Sequence, residues 1–427
     1  VSTNVQTSRR LDFIDAHRGL AVLLMLWMHT ADGWLRPGLK HGAAWGWVRS
    51  IGGFAAPTFI VLAGLSLALS WVRPSRPGQV RAEVARGLQL LVLGYALRLQ
   101  MWMLDAGGYR RANCWAAALL LGCAYLAFYR GLEAWARAAP QARWLGRLGG
   151  LAFAAGITLV SMTIRDRLMP LLRVDVLQAI GASLVCLALL RDQLVARPWL
   201  GVALGGAVAA STTWFRSWVP GALPVPIAGY LAAWDTPPGQ LAPTLFPLFP
   251  WLAYALVGAT IGLHVATAQR RDGGGARATL MLALFGAVLA VASCEALRPA
   301  HMLLSNVPGL TQPVRVTYRV CVSMVLGALA VGLSHPRVPL RTALLVLGRA
   351  SLFVYWVHLE LAFGGLSRPL SHKLGFGAWA TYLAGMVLAM TALAALWLRV
   401  RMRLWPPAAP ERQLEEPGTE PTALRTT

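Results

Sequence analysis

The chain has 427 residues, 57% of them hydrophobic and 13% charged, with a formal net charge of +22 at pH 7. Its apolar residues fall in long blocks rather than at the three-to-four-residue spacing of a soluble amphipathic helix, which argues against an ordinary soluble domain. The basic residues are scattered in small groups between those blocks, without interleaved stacking aromatics, so nucleic acid is not an expected partner.

The first 18 residues are polar, and no small-residue cleavage pattern follows, so the first apolar run is expected to be retained. Stretches such as GLAVLLMLWM from Gly19 to Met28 and FIVLAGLSLALSWV from Phe59 to Val72 carry no charge. With their neighbours they reach roughly 18 to 22 residues, enough to cross a bilayer core of about 30 Å. Candidate spans fall near 19–35, 51–72, 86–104, 112–129, 148–164, 176–190, 198–214, 245–268, 278–297, 316–334, 343–364 and 378–398. A spanning helix satisfies its own backbone groups. The expected fold is therefore all-α: a polytopic integral membrane bundle of about 12 transmembrane helices, within a range of about 10 to 12.

Arginines gather on alternate connections: Arg73, Arg76, Arg81 and Arg86; Arg130, Arg137, Arg143 and Arg147; Arg191 and Arg197; Arg270, Arg271 and Arg277; Arg337 and Arg341; and Arg399, Arg401 and Arg403 after the last span. The positive-inside rule then places both termini in the cytoplasm, with Arg165, Arg167 and Arg173 as an exception on the opposite face. The organisation expected is a cytoplasmic segment 1–18, a transmembrane domain 19–404 and a disordered cytoplasmic tail 405–427 rich in Pro, Glu and Thr. The residue bias and the Val at position 1 suit a bacterial chain with a non-ATG start, hence an inner-membrane location. The connection from Phe215 to Thr244 is rich in Pro, Gly and Trp and holds one acid, Asp235. Its Trp214, Trp218, Tyr230 and Trp234 read either as an interfacial belt or as stacking faces for a sugar.

The first span carries the strongest chemical signal. Helical spacing brings Asp15, Arg18, Val22, Met25, His29 and Asp32 close to one face. His29 lies eleven residues beyond Arg18, which at about 1.5 Å per residue puts it roughly 16 Å deep. An imidazole at that depth serves either as glue between helices or as a general base or transient acyl carrier. Asp32, one turn on, is placed to hold its other ring nitrogen. Further in, Asp175 and Gln178 start a span one turn apart, and His358 and Glu360 lie two residues apart within FVYWVHLELAFG. Arg315 and Arg319 share a face and are candidate partners for Glu360 or Glu295. Pro57, Gly64, Pro247 and Pro250 are expected to loosen or kink their helices. The five cysteines show no C-x-x-C spacing, and no His or Cys pair has ligand spacing on one helix, so neither a disulfide framework nor a metal site is expected.

Several of these segments, taken in order, are similar to a known family. RLDFIDAHRGLAVLLMLWMH resembles its opening Asp-x-x-Arg-Gly segment, GGFAAPTFIVLAGLSLALS its second helix, and VDVLQAIG from Val174 its Leu-Gln-x-Ile-Gly segment. FPLFPWLAYALVGATIGLHV from Phe246 and LFVYWVHLELAFG from Leu352 resemble its later helices. The family is the catalytic domain of the heparan-α-glucosaminide N-acetyltransferases and related bacterial membrane proteins, within a larger membrane acyltransferase superfamily.

The resemblance implies transfer of an acetyl group from cytoplasmic acetyl-CoA, or another acyl-CoA, to an amine or hydroxyl of a sugar or glycan at the opposite face. A deep histidine would stand at the transfer point. His29 fits the buried position of the bacterial enzymes, while the Lys-His pair at Lys40 and His41 resembles a segment of the animal ones, so His29, Asp32 and His41 are the catalytic candidates. Asp15, Arg18, Arg73 and Arg86 are the candidates for the phosphate-bearing donor. Asp175, Gln178, Asp235, His358 and Glu360 are the acceptor-side candidates. The partners expected are the bilayer, acyl-CoA and the acceptor, with a homodimer as a further candidate assembly. A secondary transporter of a small polar solute is the competing reading, though neither RLDFIDAHRG nor AAPTFIVLAG recurs in the second half. A non-catalytic membrane scaffold is the third.

Overall fold

The structure is a computed structural model and describes residues 11–72, 77–105, 112–163, 171–233, 244–303 and 311–404. Among these residues the regular structure is helical, with two isolated bridges joining Leu35 to Leu374 and Val174 to Thr244. In chain order the helices are α1 (Asp12–Trp34), α2 (Gly42–Gly52), α3 (Ala55–Trp71), α4 (Gln79–Asp105), α5 (Ala112–Ala136), α6 (Gln141–Thr163), α7 (Val176–Leu189), α8 (Arg191–Ala196), α9 (Trp199–Ala222), α10 (Val225–Leu231), α11 (Leu248–Asp272), α12 (Gly275–Leu303), α13 (Thr311–Leu333), α14 (Arg341–Arg349), α15 (Ser351–Phe363) and α16 (Phe376–Leu404).

Among the described residues six helical segments are long and apolar enough to cross a membrane: Gly42–Trp71, Asn113–Ala136, Gln141–Met162, Leu248–Arg271, Gln312–Leu333 and Phe376–Leu404. The pair α14 and α15, bent by 86° at one break, makes a seventh if counted as one span. This is fewer than the sequence leads one to expect. Charged and polar side chains dilute α1 and α4, and α7 is apolar but only 14 residues long. The outward faces carry bare apolar side chains, among them Leu151, Met162 and Leu388, as lipid contact requires.

α1 lies at the centre, packed against α2, α3, α13, α14, α15 and α16. Its approach to the α14–α15 unit is set by glycines. A Cβ at Gly19 would strike the carbonyl oxygen of Leu344, one at Gly348 that of Asp15, and one at Gly33 that of Ala362. Small residues let backbones meet where water provides no hydrophobic drive. Around this centre α3 pairs with α11, α4 with α7, α5 with α6, and α12 with α13.

Proline acts locally. Pro57 sits in the first turn of α3, where its missing N–H is no loss. Phe249, just before Pro250, takes a non-helical φ of −99° and ψ of 112° in the first turn of α11, as a residue preceding proline is driven to do. The expected long loop after residue 214 is largely helical: α9 runs on to Ala222 and α10 follows.

Candidate functional site

The glycine-set approach of α1 and α15 brings His29 and His358 together. His29 Nδ1 and His358 Nε2 stand 2.8 Å apart, with the ring planes within 4° of parallel. His358 Nδ1 lies 2.7 Å from the carbonyl oxygen of Val354. A carbonyl can only accept, so Nδ1 of His358 carries the proton. In the neutral ring its Nε2 is then the acceptor, and His29 donates from Nδ1. The remaining nitrogen, Nε2 of His29, holds a free lone pair and has no protein partner among the described residues.

His358 is fully buried, whereas His29 is half-buried, with the Phe363 ring 5.4 Å from it. The inner imidazole is thus fixed by packing and the outer one is only partly covered. An imidazole with its tautomer locked from behind has the chemistry to serve as a base or nucleophile. That part is supplied by His358, which the sequence reading placed on the acceptor side.

Asp32 is not the group that orients His29. It is 51% exposed, and Lys40 bonds both its carboxylate, at 3.4 Å, and its backbone carbonyl. It remains within electrostatic reach of His29. Asp32→Asn should therefore leave activity within about fivefold of wild type, since an exposed pair contributes under about 1 kcal/mol; steady-state turnover measures it. His41 is exposed and precedes α2 without capping it through its side chain.

At the N-terminal end of α1, Asp15 is 2% exposed at its side chain and is held by Arg18 at 3.4 Å and Arg349 Nε at 3.1 Å. Arg18 also donates to Ser66 Oγ at 2.5 Å, tying α1 to α3. Asp12 bridges Arg341 at 2.5 Å and Arg349 at 3.0 Å. Two proposed donor residues, Asp15 and Arg18, thus belong to an ion lattice between α1, α3 and α14. Arg86 is exposed on α4, and Arg73 lies outside the described residues.

Asp175 and Gln178 form a capping box on α7: the Asp175 carboxylate accepts from Val176 N at 2.8 Å, and Gln178 Oε1 accepts from Asp175 N at 3.2 Å. Arg98 of α4 donates to Asp175 Oδ2 at 2.5 Å. Gln178 is fully buried against Gly94, and its Nε2 has no hydrogen-bond partner among the described residues. Arg173 beside this pair is held below its usual pKa, first by burial and then by the Arg98 charge, against the pull of Asp175. Asp175 is within electrostatic reach of both His29 and Tyr355. Trp214 and Trp218 stack at 5.4 Å on the outer surface of α9, and Tyr230 bonds Tyr95 hydroxyl to hydroxyl. Asp235 and Trp234 lie outside the described residues.

Glu360 is turned away from His358 and caps the loop after α15, accepting from Gly365 N at 3.0 Å. Arg319 lies within hydrogen-bonding reach of the buried Tyr254, and the side chain of Glu295 lies outside what the structure describes. No group of three or more His, Cys, Asp or Glu side chains placed to hold a metal ion occurs among the described residues.

Sequence reasoning missed three pairings: His29 with His358, Arg98 with Asp175, and Arg349 with Asp12 and Asp15. The first joins residues 329 apart, a separation no periodicity can reveal. Arg98 did leave a signal, as a cation inside an otherwise apolar run.

No curated protein matches the chain. Residues 10–109, which hold α1 to α4 and therefore His29, match the family model described as heparan-alpha-glucosaminide N-acetyltransferase, catalytic. The N-terminal quarter of this helical membrane chain, including the helix that presents the outer imidazole, is thus similar to the catalytic domain of the heparan-alpha-glucosaminide N-acetyltransferases.

Proposed function

We propose that the protein is a membrane acyltransferase that uses acyl-CoA from the cytoplasm and delivers the acyl group to an amine or hydroxyl of a sugar or glycan approaching from the opposite face. The observation that carries this reading is the free Nε2 of His29, backed by His358. The donor, when bound, supplies an activated thioester carbonyl. Nε2 of His29 accepts the proton that the acceptor's amine or hydroxyl loses as it attacks the thioester carbonyl, or itself takes the acyl group for a second transfer; in either route the C–S bond breaks and CoA would leave as its thiolate, which takes up the acceptor's proton. His358 stabilises the cation that forms, because its Nε2 accepts the His29 Nδ1 proton throughout. The buried Nε2 of Gln178, without a partner among the described residues, and the Arg98–Asp175 pair supply a donor and an ion pair suited to sugar hydroxyls.

Both termini are cytoplasmic on this reading, the membrane is a bacterial inner membrane, and α1, α4 and the remaining apolar helices cross it with their polar faces turned inward. The family match and the apolar helices support the acetyltransferase chemistry and the membrane setting; the sidedness follows from the arginine distribution.

The test is label transfer from radiolabelled acetyl-CoA to a panel of amino sugars by the protein in liposomes, with donor and acceptor on opposite sides. Product formed only in that arrangement supports the proposal, whereas a protein that neither binds nor consumes the thioester refutes it. In the same assay His358→Gln should lower turnover by about 10- to 100-fold, the usual cost of losing a group that fixes an imidazole's orientation. Donor KM should stay unchanged, since a positioning residue acts on the base and not on donor binding.

A further inference from the structure

The ion lattice at the start of α1 does more than hold α14 in place. Arg341 spends Nε on the carbonyl oxygen of Ser334, at 2.8 Å, and Nη2 on Asp12. Arg349 spends Nε on Asp15 and Nη2 on the other oxygen of Asp12. In both guanidinium groups the third nitrogen, Nη1, has no acceptor among the described residues. The two side chains are 30% and 37% exposed, so these N–H groups face the surface rather than the core.

Asp12, bonded to one arginine through each oxygen, holds the two forks side by side. Arg18, Arg341 and Arg349 against Asp12 and Asp15 leave one net positive charge. The helices α1 and α14 both begin here, each without a side-chain cap on its first N–H groups. Two pre-positioned guanidinium forks beside two helix N-termini, with an excess positive charge, are the chemistry of a phosphate site.

We propose that Arg341 and Arg349 form the site for the phosphate groups of the nucleotide-bearing acyl donor, with Asp12 as the built-in spacer that keeps both forks aligned. This rests on the acyltransferase reading for the identity of the ligand. It moves the phosphate anchor from Arg73, which precedes α4, and Arg86 on α4 to the bent α14–α15 unit that also carries His358.

The test uses the full chain in phosphatidylcholine nanodiscs, titrated calorimetrically with CoA and with pantetheine, which lacks the nucleotide and its phosphates. Wild type should bind CoA more than about tenfold tighter than pantetheine, a difference of about 1.4 kcal/mol or more. Arg341→Gln should remove most of that difference and leave pantetheine unchanged. Arg341→Lys keeps a cation against Asp12 but loses the fork; it should also lose about tenfold in CoA affinity while its Tm matches wild type, which separates recognition from folding.

If the wild type binds CoA and both variants bind it equally well, the phosphate site is refuted and the acyltransferase reading stands. If the wild type binds no CoA, both fall. In a further arm, nanodiscs containing phosphatidylglycerol identify the other source of phosphate. Lipid retention that depends on Arg341, together with unchanged CoA affinity, would assign the forks to a lipid headgroup and overturn the proposal.

Discussion

His29→Ala should lower acyl transfer by about 10²- to 10⁴-fold, the range a positioned general base contributes, while CoA binding and Tm stay close to wild type. A single atom decides this. Nδ1 is committed to His358, so Nε2 is the position where this imidazole can accept a proton or an acyl group. His29→Gln makes the sharper control, because its amide can still donate toward His358 and fill the gap against Phe363, yet it offers no basic lone pair. Both variants should therefore be inactive and folded, as judged by label transfer alongside thermal unfolding in detergent. A His29→Gln protein that retains wild-type turnover would remove His29 from the chemistry.

Gly348→Ala is the substitution expected to harm the fold most for its size. The added methyl group would land on the backbone oxygen of Asp15, well inside van der Waals contact. Backbone cannot step aside as a flexible side chain can, so α14 must move off α1. A clash of this kind costs about 1 to 3 kcal/mol and occasionally more, and here the buried Asp15 carboxylate would part from Arg349 as well. A large fall in Tm is the expected reading. Gly385→Ala on α16, where a Cβ meets nothing within 4 Å, is the matched control and should unfold as wild type does. Equal Tm values for the two would show that the α1–α14 contact is slack.

The helical class, the membrane setting and the place of His29 inside an apolar run were legible in the sequence because each is a local property. Uninterrupted apolar windows announce themselves over about 20 residues, and an imidazole in the middle of one stands out. The family resemblance over the first helices also rests on contiguous residues, and the match at 10–109 bears it out. The rest depended on which helices touch. Asp32, one turn from His29, looked like its partner, but its direction along α1 carries it out to Lys40, and a residue 329 positions away supplies the bond. Asp175 and Gln178 were read together correctly as neighbours, and the capping box between them follows from their spacing. Arg98, which completes that group, sits on a different helix. About 12 spans are not confirmed: among the described residues six or seven segments have the length and apolarity to cross, while α7 has 14 residues and α1 and α4 carry polar faces.

The 86° bend between α14 and α15 joins two features along one broken helix. One arm lies along the arginine lattice and the other holds His358 by its Val354 carbonyl. The lattice residues and the inner imidazole therefore share a single stretch of backbone, and the 2.8 Å bond to His29 tolerates little rotation before it weakens. A change at Ala350, the buried residue at the corner, touches both arms at once.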